Sequence, residues 1–203
     1  MTARPATTLP SASFGGLSRR RWALFLGLAA AIVACDQLAK ALVTSQLSPG
    51  QSVEVAGSLL RIVFGQNTGA LFGLFKDNAA MFGLVSLLVI GLIVAYHARS
   101  TPSLYLTVTL GLLLGGAVGN MLDRLRLGYV VDFVDVGIGT LRFYTFNVAD
   151  SAISLAILLL LLAALRPSLV ESQKNRAPAR GLAATAATPG STSADVASDE
   201  RQS

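Results

Sequence analysis

Four long apolar stretches constrain this chain more than any other feature. Residues 22–42, 79–96, 104–118 and 148–165 are nearly free of charge, and each approaches the roughly 20 residues that a helix needs to cross a hydrocarbon core about 30 Å thick. Backbone groups inside a bilayer must be satisfied within their own element, so each stretch is expected as a helix. A chain of 203 residues with 53% hydrophobic and 13% charged residues is an integral membrane protein by composition. The expected fold class is therefore all-α, with four transmembrane helices at about 22–44, 79–97, 103–122 and 147–165. They form one membrane domain, 19–168. The Ser-, Thr-, Ala- and Pro-rich ends, 1–18 and 169–203, are expected as disordered cytoplasmic tails.

Arg19, Arg20 and Arg21 followed by Trp22 start the first helix in the cytoplasm. Both termini then lie inside, where ten of the sixteen basic residues fall; five are outside and Lys40 is in the membrane. Between the first two helices, Val53-Glu54-Val55 and Leu59 to Phe64 are short β-like runs split by Gly57. They predict a small extracytoplasmic β-sheet lying on the membrane. One cysteine and one histidine exclude an internal disulfide and leave zinc and haem without their usual ligands. The basic residues cluster at helix ends with no basic, aromatic face, so nucleic acid is not a partner. Cys35 ends Ile32-Val33-Ala34-Cys35, which imitates a lipid-attachment box. The apolar pattern continues past it to Val43 and three more spans follow, so it is expected as an ordinary helix residue. His97, at the cytoplasmic end of the second span, is expected at the interface.

The chemistry is sought where polar groups interrupt this pattern, because ionisable groups at membrane depth are functional suspects by default. Asp36 and Lys40, four apart, share one face late in the first helix. Asn67 stands in a Gly-rich turn, Gln66-Asn67-Thr68-Gly69. The third apolar stretch ends in Asn120, Asp123, Arg124, Arg126, Asp132 and Asp135, the last two in a presumed outer loop. Gly111, Gly115 and Gly119 recur every fourth residue, a spacing for close helix contact, and Gly116, Asn120 and Asp123 form a neighbouring stripe. Asn147 is a natural N-cap for the fourth helix, and Asp150 completes a capping box. The topology brings these four clusters into one outer layer. The only histidine is at the other end, so a serine or cysteine nucleophile lacks its base. Carboxylates remain. Two close aspartates cannot both ionise easily, so one can activate water while the other protonates a leaving group, which hydrolyses an amide without metal or cofactor.

Four motifs, in order, also resemble the lipoprotein signal peptidase (signal peptidase II) family of membrane aspartic proteases. They are Asp36-Gln37-Leu38-Ala39-Lys40; Asn67-Thr68-Gly69-Ala70 with Phe72; Gly115-Gly116 through Gly119-Asn120 to Asp123-Arg124 and Val131-Asp132-Phe133; and Phe146-Asn147-Val148-Ala149-Asp150. Leu71, where the family often has alanine, is a departure. The resemblance implies Asp132 and Asp150 as the catalytic pair, with Asp36, Lys40, Asn67, Gly69, Asn120, Asp123, Arg124 and Asn147 shaping or supporting the site. It implies cleavage of bacterial prolipoproteins on the amino side of a diacylglyceryl-modified cysteine, in the inner membrane, with the active site at its outer face and substrate arriving through lipid. Two other classes use the same residues: a metal-dependent lipid phosphotransferase with Asp123, Asp132, Asp135 and Asp150 on magnesium, and a small ion-coupled transporter with Asp36, Lys40, Asp123 and Asp150.

Overall fold

The computed structural model describes residues 14–69, 79–100 and 103–170. All belong to one unit, Met1–Val170; the second unit, Glu171–Ser203, lies outside the described residues. So do Ala70, Leu71, Phe72, Lys76 and Thr101-Pro102. The elements run α1 (Phe14–Gln46), β1 (Ser52–Ala56), β2 (Leu60–Asn67), α2 (Ala79–Arg99), α3 (Leu104–Leu127), β3 (Val130–Ile138), β4 (Leu141–Arg142) and α4 (Val148–Leu165). Among the described residues four helices are long and apolar enough to cross a membrane, as expected.

Helix α3 is the axis of the bundle and packs against each of the other three helices. Its glycines explain how. A Cβ on Gly115 would stand 2.7 Å from Cβ of Ile32, and one on Gly116 would stand 2.5 Å from the Ala149 carbonyl oxygen. One side of α3 is therefore cut to fit α1 and the next to fit α4, the close approach that small residues permit between membrane helices. The Tyr105 hydroxyl donates to the Leu159 carbonyl at 2.6 Å and ties α3 to α4 away from the polar layer. Helix α1 passes through Cys35 without a break, as the uninterrupted apolar pattern requires.

Four expectations need correction. Helix α1 begins at Phe14, inside the stretch expected as a disordered tail. Helix α3 continues five residues beyond 122 and stops where Gly128, at φ 78°, supplies the left-handed cap that donates to the Arg124 carbonyl. Third, the presumed outer loop is strand β3. The β-branched run from Val130 adds a partner to β2, and with β4 it makes a four-stranded antiparallel sheet in the order β1-β2-β3-β4. Val131, Phe133 and Phe64 are buried against Val43 of α1, which seats the sheet on the end of the bundle. His97 also departs from expectation. It is buried, stacked on Phe25 at 4.1 Å between ring centroids and edge-on to Trp22 at 4.6 Å. At about 1.5 Å per residue, the fourteen residues from Trp22 to Asp36 keep it roughly 21 Å from the polar layer.

Candidate active site

The site is assembled from element ends. Asp36, Lys40 and Asp123 form its base: Lys40 Nζ lies 2.7 Å from Asp36 Oδ2 and 2.7 Å from Asp123 Oδ2, with all three residues buried. One lysine between two carboxylates leaves a negative excess, and backbone donors offset it. Asp36 Oδ1 accepts from Ala149 N at 3.0 Å, in the first turn of α4, and Asp123 Oδ2 accepts from Val131 N at 3.2 Å, next to Asp132. The cluster thus grips both chain segments that carry the upper aspartates. Lys40 also donates to Asn120 Oδ1 at 3.2 Å, and Asn120 Nδ2 donates to Asp150 Oδ1 at 2.8 Å.

Asn147 joins the two aspartates. As the N-cap of α4 it accepts from Asp150 N at 2.9 Å through its side chain, while its own N–H donates to Asp150 Oδ2 at 3.2 Å, the reciprocal capping box. The same side chain turns Nδ2 to Asp132 Oδ1 at 2.7 Å. The other oxygen of Asp132 accepts from Asn67 Nδ2 at 2.9 Å. Asn67 is the last residue of β2 as well as the start of the expected turn, since its Oδ1 accepts from Gly69 N at 3.1 Å. Arg124 lies between Asn120 and Gly69, with Nη1 at 3.3 Å and Nη2 at 3.4 Å from their carbonyl oxygens, and its guanidinium sits 5.4 Å from the Phe82 ring centroid. All ten candidate residues named from the sequence fall in this one network.

Asp132 is buried, and burial followed by the charge of Asp150 pushes its carboxyl up to about 7, against the pull of Asn67, Asn147 and Lys40. A proton is therefore held there near neutral pH. Asp135, three residues on in the same strand, has other partners: Arg61 at 2.6 Å and Arg142 at 3.0 Å. Burial raises its carboxyl, but those two guanidiniums outweigh it and hold Asp135 below the usual carboxylate value. This disfavours the four-carboxylate magnesium reading, because Asp123 is committed to Lys40 and Asp135 to arginines. Among the described residues no group of three or more His, Cys, Asp or Glu could hold a metal ion.

Two residues escaped the sequence reading. Gln37 Nε2 donates to Asp123 Oδ1 at 2.9 Å and reaches Asp36 Oδ2 at 3.2 Å, closing the cluster on the α1 side. Tyr144 accepts from Asn67 Nδ2 through its hydroxyl oxygen. Burial, then Asp132 and Asp150, push its phenol up from its ordinary value, so it stays protonated. Gln37 was in a quoted motif with no charge to mark it, and Tyr144 stood among loop aromatics. Beside Asp150, a largely apolar groove of about 830 Å³ runs along α4, lined by Arg124, Phe143, Tyr144, Phe146, Ile153 and Ile157 among others.

Comparison with known proteins bears on what such a site does. Residues 28–166 match the family model described as signal peptidase (SPase) II. The lipoprotein signal peptidase of Geobacillus kaustophilus is 42% identical over 66% of this chain and 87% of its own length, and that of Moorella thermoacetica 39% identical over 67% and 89%. Two solved structures, each described as a bacterial membrane enzyme structure obtained by the in meso method, are 30% identical. They superpose with TM-scores of 0.65 and 0.63, over 76% and 75% of this chain and 91% and 95% of theirs. The family match takes in most of the first span, the other three nearly whole, the four strands of the sheet and every member of the polar network, and on that ground the chain belongs to the signal peptidase II family of peptidases.

Proposed function

We propose that Asp132 and Asp150 act together as the catalytic pair that removes signal peptides from diacylglyceryl-modified bacterial prolipoproteins, cutting on the amino side of the lipidated cysteine. The observation that carries this reading is the double grip of Asn147, which holds Asp150 by a capping box and Asp132 by its amide. Two carboxylates from a strand and a helix are thereby fixed on one residue. Asp150 sits in the first turn of α4, where its carboxylate accepts from Asn120 Nδ2 and from Asn147 N, while Asp132 keeps its proton to about pH 7. Ionised Asp150 takes a proton from water as its oxygen attacks the scissile carbonyl carbon. Asp132 gives its proton to the departing amide nitrogen as the carbon–nitrogen bond breaks. Asp36, Lys40, Asn120, Asp123 and Asn147 hold the pair in place, and Asn67, Gly69 and Arg124 border the groove in which the substrate would lie. No cofactor takes part in this scheme.

The site faces the outer side of the inner membrane in this reading, with both termini in the cytoplasm. The motive is the excess of arginine and lysine on the proposed inner side. The partners are lipidated precursor and membrane lipid, and nucleic acid has no part. Incubation of the purified protein with a diacylglyceryl-modified prolipoprotein tests the reading. Cleavage should proceed equally with and without a strong chelator and should stop for the unmodified precursor. Loss of cleavage on chelation would return the site to metal chemistry.

A further inference from the structure

A second cavity, of about 150 Å³, opens between the sheet-side ends of α1 and α3 and shares no lining residue with the groove beside Asp150. Lys40, Asp123 and Val131 are the buried part of its lining, and Thr44 and Arg126 are exposed at its mouth. Its depth in the membrane follows from helix geometry. Thr44 lies twenty-two residues beyond Trp22, and Arg126 twenty-two beyond Leu104, the first residue of α3. At about 1.5 Å per residue both stand roughly 33 Å along their helices, just past a hydrocarbon core about 30 Å thick and level with the lipid phosphates. The neighbouring surface is apolar, with Leu42 67% and Leu125 69% exposed. The mouth therefore opens on headgroups.

The two ends of the cavity suit different groups. Arg126 makes one hydrogen bond among the described residues, from Nη1 to Gln37 Oε1 at 3.3 Å. Most of its guanidinium fork is left for a ligand, and that fork matches phosphate oxygens. The inner end suits a donor. Lys40 directs its three N–H groups to Asp36, Asp123 and Asn120. Asp123 Oδ1 accepts only from Gln37 among the described residues, at 2.9 Å, and belongs to a cluster with a negative excess. We propose that this cavity binds a glycerophospholipid, its phosphate on Arg126 and a hydrogen-bond-donating headgroup, ethanolamine or glycerol, directed toward Asp123. Choline, which has no donor, fits this lining poorly. The lipid is distinct from the diacylglyceryl group of a substrate, which carries no phosphate, and the inference does not depend on the assignment of the aspartates.

Native mass spectrometry of the full chain released from detergent tests it. Dioleoylphosphatidylethanolamine is titrated against dioleoylphosphatidylcholine, which has the same phosphate, chains and net charge but no headgroup donor, and against dioleoylglycerol, which has no phosphate. The unaltered chain should retain the ethanolamine lipid about tenfold more strongly than either, the size of one charge-assisted hydrogen bond. Arg126→Gln should remove that preference, and so should Thr44→Leu, which keeps the guanidinium but fills the mouth. Arg99→Gln, at the His97 end of the bundle, should keep it. All three side chains are exposed, so these variants leave the core intact. Equal retention of the three lipids, a preference that survives either variant of the cavity, or its loss in Arg99→Gln would overturn the proposal. Displacement of the lipid by excess inorganic phosphate would also overturn it, since the site would then take free phosphate.

Discussion

At the scale of single residues, the two carboxylates of β3 show how environment divides identical side chains. Asp132 meets amides and another carboxylate, and holds its proton to about 7; Asp135 meets two guanidiniums and does not. If Asp132 donates a proton in the reaction, cleavage should be steady at mildly acidic pH and fall as pH rises through about 7. A profile that rises through that range would contradict the assignment. The effect on stability has the same sign. The folded state binds a proton that the unfolded chain releases near its ordinary value of 3.8, so that contribution is complete below that value and lost as pH rises through about 7. Asp132→Asn should flatten this dependence in melting curves taken from pH 5 to 8. Asp135→Asn should instead lower stability by roughly 1–3 kcal/mol, through lost charged hydrogen bonds, and leave the cleavage rate of folded enzyme unchanged. The charged and capping residues were legible in the sequence because burial of charge near a membrane demands a reason. Gln37 and Tyr144 were not, because an amide and a phenol among loop or helix neighbours carry no such demand.

At the scale of elements, the helices were legible because a bilayer leaves few alternatives, and the ends of elements were not. The sequence pattern ends helix α3 at the first charges, yet Asp123 is satisfied by Lys40 and Val131 N within the fold, so charge does not end the helix; Gly128 does. Strand β3 reads as loop from the sequence because its partner β2 is more than sixty residues away, and a pairing of that range leaves no local signal beyond the β-branched run. Helix contact offers a sharp test. Gly116→Ala would press a methyl against the Ala149 carbonyl and Ile153, displacing α4 and the carboxylate it carries. Overpacking of this kind costs about 1–3 kcal/mol, and both melting temperature and turnover should fall. Gly91→Ala, with open space around it, should change neither. Asp36→Ala should cost more, roughly 3–5 kcal/mol as for a broken buried pair, and lower the folded yield, because it strips the cap from Ala149 N and one partner from Lys40. Normal thermal stability of that variant would show the cluster to be idle.

At the scale of the whole molecule, a four-helix bundle with a sheet on one end gathers clusters spread from Asp36 to Asp150 into a single layer. The proposed orientation rests on the distribution of charge: in a Cys35→Ala background, Ser52→Cys should react with an impermeant thiol reagent in intact cells and Ser191→Cys should not. Labelling of the latter from outside would invert the topology. The gathered layer should also behave as one device, since residues that act as a unit do not contribute additively. The most direct measurement is single-turnover cleavage of lipidated prolipoprotein by Asp132→Asn, Asp150→Asn and the double variant, each checked for folding and substrate binding. Each single variant should lose about 10²–10⁴-fold or more in rate while still binding substrate, and the double should be hardly slower than the worse single. Substantial cleavage by either single variant, or losses that multiply in the double, would contradict a shared catalytic unit.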